Sequence, residues 1–190
     1  VFTSDNGFHM GEHSLRPGKQ TAFDTDIHVP LIVTGPGVPA GVVVDEIAQN
    51  IDLCSTFAEL GGATTVAVQN GRSLVPLLRG ESPADWRDVA LVEHHGSNFD
   101  VTDPDAPEPD SGDPPTYSAL RTKDVVYVEY VGGEIEYHDR RTDPDETKNN
   151  AFATLTDAQK KALHDSLEAM KNCHDPNACW TAMHMKPGAP

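Results

Sequence analysis

The sequence predicts an α/β fold in which a larger α/β unit is followed by a small antiparallel sheet with one covering helix. A continuous apolar run at residues 29–34 is typical of a strand buried on both faces, and a helix is predicted at 48–60. The final third changes character, with three short alternating strands before a helix at 157–171. The predicted division is 1–96, an acidic, proline-rich loop or linker at 97–115, and 116–190.

The chain opens with a strand end that runs directly into a polar turn, the opening turn, at residues 4–19. Residues 1–3 are β-branched and aromatic, and Asp5 and Asn6 stand where such a strand would stop. These side chains are adjacent oxygen donors at the edge where open α/β sheets place their ligands, and they suit a hard cation such as Ca²⁺ or Mg²⁺. The same turn carries two imidazoles and an ammonium group, those of His9, His13 and Lys19. This combination predicts an anion held against a metal.

The middle of the chain supplies one helix and one further candidate for the site. Apolar residues on the 48–60 helix have a partly helical spacing, which predicts that Cys54 is a small buried residue on or near that face. A strand at 89–93 ends in His94 and His95. Adjacent residues of an extended chain point to opposite faces, so we expect one of the two, His94, to face a substrate cleft.

The last third predicts a compact antiparallel subdomain. Its strands are expected at 117–121, 125–130 and 134–139, with two glycines forming a hairpin turn between the last two strands. Thr156 and Gln159 form a capping box at the start of the 157–171 helix. An apolar stripe on this helix is expected to lie on the sheet; it consists of Leu163, Leu167 and Met170.

Two cysteines near the end bear on the cellular compartment. Cys173 and Cys179 are separated by a turn-forming sequence, which predicts a short disulfide loop and an extracytoplasmic location, secreted or periplasmic. A zinc site that adds His174 and His184 is the alternative, although its spacing fits no common zinc framework. Free thiols are the third possibility.

Charge and hydropathy argue against nucleic-acid binding and against a transmembrane helix. The chain has 14 Lys and Arg residues against 30 Asp and Glu, a formal net charge of −16. Nucleic acid is therefore not an expected partner, because phosphate binding needs basic patches. No run of 18 apolar residues is present, so no transmembrane helix is expected. The acidic excess is interpreted as serving solubility; the alternative is a local positive pocket within a negative surface.

The opening stretch resembles the sulfatase family of the alkaline-phosphatase-like superfamily, in the manner of glucosamine-6-sulfatases and iduronate sulfatases. The resemblance rests on an ordered series, Ser4-Asp5-Asn6-Gly7, Gly11-Glu12-His13, Lys19 and Ile27-His28-Val29-Pro30-Leu31-Ile32. It implies the C-terminal part of an alkaline-phosphatase-like sandwich. It also implies that Asp5 and Asn6 bind Ca²⁺, that Lys19 contacts the sulfate during catalysis, and that a cysteine pair lies near the end. His9, His13 and His94 are the expected substrate-binding residues, with a structural hydrogen bond as the alternative for His9.

The family nucleophile is not found in these residues. The family's Cys/Ser-x-Pro-x-Arg motif provides a formylglycine, whereas the sequence from Cys54 to Phe57 lacks both the Pro and the Arg. The resemblance therefore implies the C-terminal portion of a calcium-dependent sulfatase that acts on a sulfated sugar or aryl ester, with its nucleophile upstream. A phosphodiester or phosphonate hydrolase of the same superfamily and a non-enzymatic acidic, disulfide-closed binding module are the alternatives.

Overall fold

A four-stranded antiparallel sheet forms the centre of the C-terminal half. The computed structural model describes residues 1–63, 69–96 and 114–190. The predicted loop at 97–115 falls almost wholly outside the described residues. The strands follow one another in the order β1-β2-β3-β4; they are β1 (Ala90–His94), β2 (Tyr117–Arg121), β3 (Val125–Tyr130) and β4 (Ile135–Asp139).

Three of these strands were predicted for this sheet, and the fourth joins them from the first part of the chain. β1 pairs with β2 along its whole length, from Ala90 opposite Arg121 to His94 opposite Tyr117. The predicted hairpin joins β3 and β4, and Gly133 adopts a φ of 94°, which a residue with a side chain rarely takes. Because β1 pairs with β2, the C-terminal sheet includes the strand that ends at the candidate site residue His94.

One face of the sheet is covered by the predicted helix, α4 (Asp157–Lys171). Its capping box is confirmed, because Thr156 Oγ1 accepts from the Gln159 amide at 3.2 Å and the Gln159 side chain accepts from the Thr156 amide at 3.0 Å. The predicted stripe is also confirmed: Leu163 and Leu167 are fully buried and Met170 is 3% exposed. Each such side chain contributes about 1.5–3 kcal/mol on burial, so this face holds the main core.

A second helix, α5 (Pro176–Ala182), covers the same core and was not predicted. The sequence there indicates a turn, but Asp175 caps the helix, its carboxylate accepting from the amides of Asn177 and Ala178, each at 3.0 Å. Pro176 occupies the first turn, where its missing N–H costs nothing. The predicted disulfide between Cys173 and Cys179 is present, with its Cα atoms 5.0 Å apart.

The opposite face of the sheet packs on the segment that follows the opening turn. Ala22 is buried there against Ala119, Val126 and Val128. The Tyr117 hydroxyl donates to the Gln20 carbonyl at 3.0 Å. The short helix α1 (Asp24–Ile27) thus lies against this face and carries the opening turn with it.

The buried strand predicted in the first part of the chain is not present in the described structure. The 29–34 run does not form a buried strand: it makes only an isolated bridge between Phe2 and Ile32, and Ile32 is 60% exposed. Residues 42–44 form no strand, and Val43 is 85% exposed. A strand is buried on both faces only when neighbours flank it, and the single bridge to Phe2 provides one contact among the described residues.

The central helix is shorter than predicted and is turned the other way. It runs as α2 (Asp52–Leu60), and the expected apolar face is exposed, with Phe57 at 50%. Cys54 is exposed as well, so its predicted burial is wrong. The buried side of α2 instead carries Asp52 and Thr56, and polar contacts hold this orientation. The Thr56 hydroxyl, for example, accepts from the Leu74 amide at 2.9 Å beside the next helix, α3 (Val75–Leu78).

Candidate active site

The opening turn presents a charged carboxylate to solvent. Ser4 Oγ donates to the Asn6 carbonyl at 2.7 Å and lies 3.3 Å from Asp5 Oδ1. Hydrogen bonds from the Asn6 amide, from the amide of Asp5 itself and from the Ser4 hydroxyl lower the pKa of the exposed Asp5 carboxyl. Each of these donors stabilises the ionised form, so Asp5 is negatively charged at neutral pH.

Asn6 lies between this carboxylate and a cation. Its Nδ2 donates to the Gly7 carbonyl at 2.8 Å, and this bond fixes the orientation of the amide. Its Oδ1 lies 3.5 Å from Lys19 Nζ. The predicted metal ligand and the predicted sulfate contact are therefore neighbours, although they are 13 positions apart in the sequence.

Asp5 and Asn6 supply the oxygen type that calcium prefers, but only two ligands. Calcium takes six to eight oxygens in proteins. In residues 1–63, 69–96 and 114–190, no group of three or more Asp, Glu, His or Cys side chains could enclose an ion. The residues fit part of a calcium site, and the remaining ligands would have to come from other residues.

One side of the turn is held tightly against α1. The Gly7 amide donates to the Asp26 carbonyl at 2.7 Å. A Cβ atom at Gly7 would stand 2.0 Å from the carbonyl oxygen of Thr25, so no residue with a side chain fits there without a shift of the backbone. This close approach fixes the position of the residue that follows Asn6.

His9 belongs to the same attachment. It is fully buried, and its Nδ1 lies 2.9 and 3.0 Å from the two carboxylate oxygens of Asp26. Asp26 Oδ2 also accepts from the amide and the hydroxyl of Thr21, at 2.9 and 2.6 Å. This contact is the structural hydrogen bond that is the alternative role for His9. A substrate-binding role for His9 stays a prediction.

The other two predicted substrate-binding histidines occupy different surroundings. His13 stacks on Phe23 with ring centroids 3.6 Å apart and has a left-handed backbone, φ 55°. His94 ends β1, and its Nε2 lies 3.1 Å from the carbonyl oxygen of Pro114. His94 lines the same cleft as Asp5, Asn6 and Lys19, whereas His9 and His13 do not.

The cleft has a volume of about 1350 Å³. One wall is the opening turn, a second is the exposed apolar segment at 29–48, and a third is the edge of β1. Arg121 and Arg140 also line the cleft, but both guanidinium groups form ion pairs with Asp24. Arg121 donates to Asp24 Oδ1 at 3.0 and 2.8 Å, and Arg140 Nη2 donates to Asp24 Oδ2 at 2.7 Å.

This ion cluster fastens α1 to the sheet. Burial acts to raise the pKa of Asp24, but Arg121 and Arg140 outweigh it and hold that pKa below its ordinary value. Glu146 accepts from the Asp24 amide at 2.8 Å, and burial raises the pKa of its own carboxyl. Sequence reasoning missed this cluster, because its contacts join residues about a hundred positions apart and no local pattern marks them.

Comparison with known proteins places these residues in a family. The model of the family described as N-sulphoglucosamine sulphohydrolase, C-terminal, matches residues 11–173. Human N-acetylglucosamine-6-sulfatase is 32% identical over 207 aligned residues, which cover 98% of this chain and 37% of the relative. The chain therefore spans little more than a third of the length of that relative.

Two solved structures share the fold at similar coverage. One, in complex with its substrate D-glucosamine-2-N,6-O-disulfate, superposes with a TM-score of 0.75 at 27% identity over 89% of this chain and 33% of that one. The other, the phosphonate monoester hydrolase of Agrobacterium radiobacter, gives a TM-score of 0.69 at 28% identity over 90% and 34%. On the family match and these likenesses, the chain belongs to the sulfatase family of the alkaline-phosphatase-like superfamily and corresponds to the C-terminal part of that fold.

Proposed function

We propose that this chain is the C-terminal portion of a calcium-dependent sulfatase that hydrolyses sulfate esters of amino-sugar glycans. One observation carries the proposal: Asp5, Asn6 and Lys19 line a single cleft, with the Lys19 ammonium 3.5 Å from the amide oxygen of Asn6. The substrate class is supported by human N-acetylglucosamine-6-sulfatase and by the structure in complex with a disulfated glucosamine.

In this proposal each residue of the turn has a distinct task. The carboxylate of Asp5 and the amide oxygen of Asn6 hold the metal, and Lys19 places a positive charge on the side of Asn6 where the sulfuryl oxygens would lie. Bound calcium would supply a Lewis acid that withdraws charge from the sulfuryl group. Lys19 would stabilise the negative charge that builds on the sulfuryl and leaving oxygens in the transition state. The formylglycine nucleophile that the resemblance implies would belong to residues outside this chain.

The overall acidity of the chain does not oppose this role. Electrostatic attraction of an anion depends on the charges within the cleft, which a bound calcium ion and Lys19 would make locally positive. The net charge of −16 is then a property of the remaining surface.

We also propose an extracytoplasmic location. The Cys173–Cys179 disulfide supports it, because disulfides persist mainly in oxidising compartments. No helix in the described ranges is long and apolar enough to cross a bilayer.

A phosphonate or phosphodiester hydrolase is the second candidate, favoured by the likeness to the phosphonate monoester hydrolase. A direct comparison separates the two. The complete protein is assayed with glucosamine 6-sulfate and with a phenyl phosphonate monoester, each with and without a calcium chelator. The sulfatase proposal expects a higher kcat/KM for the sulfate ester and loss of turnover on chelation. Preference for the phosphonate ester would overturn the proposed substrate class.

A further inference from the structure

Asn50 connects the start of α2 to the opening turn. Its Nδ2 donates to the carbonyl oxygens of Ser4, at 3.1 Å, and of Asp5, at 3.0 Å. The Asp5 carbonyl belongs to the peptide unit that links Asp5 to Asn6. The direction of this carbonyl therefore sets the relative orientation of the two proposed calcium ligands.

A buried ion pair fixes the chain immediately before Asn50. Asp52 accepts from Arg87 at 2.6 and 3.0 Å, and both side chains are fully buried. Asp52 Oδ2 also accepts from the Gln49 amide at 2.8 Å, and Gln49 Oε1 accepts from Arg87 Nη1 at 2.7 Å. Gln49 is thus held by its main chain and its side chain.

The same ion pair is supported from two further directions. Asp52 Oδ1 accepts from the Arg72 amide at 2.8 Å. The guanidinium of Arg87 lies 5.7 Å from the ring centroid of Trp86 and 5.2 Å from that of Trp180. Trp180 follows Cys179 of the disulfide and belongs to the buried core, so the anchor of Asn50 is joined to that core.

We propose that Asn50 is a positioning residue that preorganises Asp5 and Asn6 for calcium. This inference rests on the proposed function. Asn50 acts through backbone carbonyls, and the buried pair behind it transmits the rigidity of the core to an exposed turn. α1 and Gly7 hold the turn from the other side, so Asp5 and Asn6 lie between two fixed points.

The test removes the amide and keeps a matched control. Asn172 is also an exposed asparagine whose Nδ2 donates to a backbone carbonyl, that of Glu168 at 2.9 Å, but it lies at the end of α4. Asn50→Leu and Asn172→Leu are compared with wild type in the complete protein. Hydrogen exchange of the segment 1–11 is measured without metal, and calcium affinity is measured by calorimetry.

We expect Asn50→Leu to speed exchange in segment 1–11 and to weaken calcium binding roughly tenfold, as the loss of a hydrogen-bonding group that orients both ligands would. Asn172→Leu should change neither quantity. Asn50→Ala also lacks the amide and introduces no charge near the proposed ligands, so it should reproduce both effects even if the leucine variant folds poorly.

Unchanged exchange in segment 1–11 of both Asn50 variants would overturn the inference, whatever their activity. Faster exchange with unaltered calcium affinity would overturn it too, because the amide would then hold the turn without serving the ligands. The proposed function fails separately, if the wild-type protein neither binds calcium nor hydrolyses sulfate esters. In that case, faster exchange in the Asn50 variants would still show that the Asn50 amide restrains the opening turn.

Discussion

Replacing Arg87 by alanine tests whether the buried ion pair behind the opening turn stabilises the fold. Arg87 is enclosed, makes two hydrogen bonds to Asp52 and one to Gln49, and its guanidinium lies 5.7 and 5.2 Å from the ring centroids of Trp86 and Trp180. Its loss leaves the Asp52 carboxylate buried with only two backbone amides as donors, those of Gln49 and Arg72, among the described contacts. Breaking a buried pair from one side costs about 3–5 kcal/mol.

The chain offers a matched surface pair as the control. Arg141 makes the same two-bond contact with Asp139, at 2.8 and 2.7 Å, but the two side chains are 53% and 21% exposed. Exposed pairs contribute at most about 1 kcal/mol, because water solvates both partners when they separate. Urea unfolding of the complete protein should therefore show a much larger loss for Arg87→Ala than for Arg141→Ala, with similar m-values. Equal shifts of the two midpoints would refute the reasoning.

Two further predictions concern the metal and the dependence of stability on pH. Asp5→Ala in the complete protein should abolish turnover and weaken calcium binding at least tenfold, because it removes the charged one of the two proposed ligands; unchanged affinity by calorimetry would remove Asp5 from the site. Burial lowers the pKa of His138 in the folded protein, although Asp143 acts to raise it. On acidification the unfolded chain therefore binds the proton before the folded protein does. The free energy of unfolding should then decrease as the pH falls through about 6.5, the ordinary pKa of histidine. Melting temperatures measured between pH 7 and pH 5 should fall less steeply for His138→Gln than for wild type, and parallel slopes would contradict this.

The strands β2 to β4 and the helix α4 could be predicted closely because their signals are local. The capping box at Thr156 and the spacing of Leu163, Leu167 and Met170 determine α4 within one stretch of chain. The hairpin likewise follows from its glycines and the alternation of the flanking strands. Short-range patterns of this kind require no knowledge of distant partners.

The first part of the chain was predicted less well because its structure depends on distant contacts. The apolar spacing of α2 suggested a buried face, but the partners of Asp52 and Thr56 turned the helix the other way. Arg87 is 35 positions from Asp52, and nothing in the local sequence marks the pair. The run at 29–34 has the apolar composition of a buried strand. It is nevertheless exposed, because no strands flank it among the described residues.

The proximity of the candidate site residues could be predicted only in part. Asp5, Asn6 and Lys19 share one cleft, as the order of residues in the turn suggested, and His94 reaches the same cleft from the end of β1. The burial of His9 could not be predicted, because its partner Asp26 approaches through the fold of α1. Asn50 was also missed as a contact of the turn, since an asparagine before a helix indicates an N-cap and not a contact 45 positions away.

The kinetic effect of replacing Lys19 in the complete protein tests the central claim most directly. An ammonium placed where negative charge develops stabilises the transition state more than the ground state, so Lys19→Ala should lower kcat by roughly 10²–10³. Calcium affinity and the fold should survive, and Lys19→Arg should not restore the full rate, because a planar guanidinium does not replace a compact point charge. If Lys19→Ala raised KM and left kcat unchanged, Lys19 would be a uniform binding contact, and its catalytic role would be contradicted.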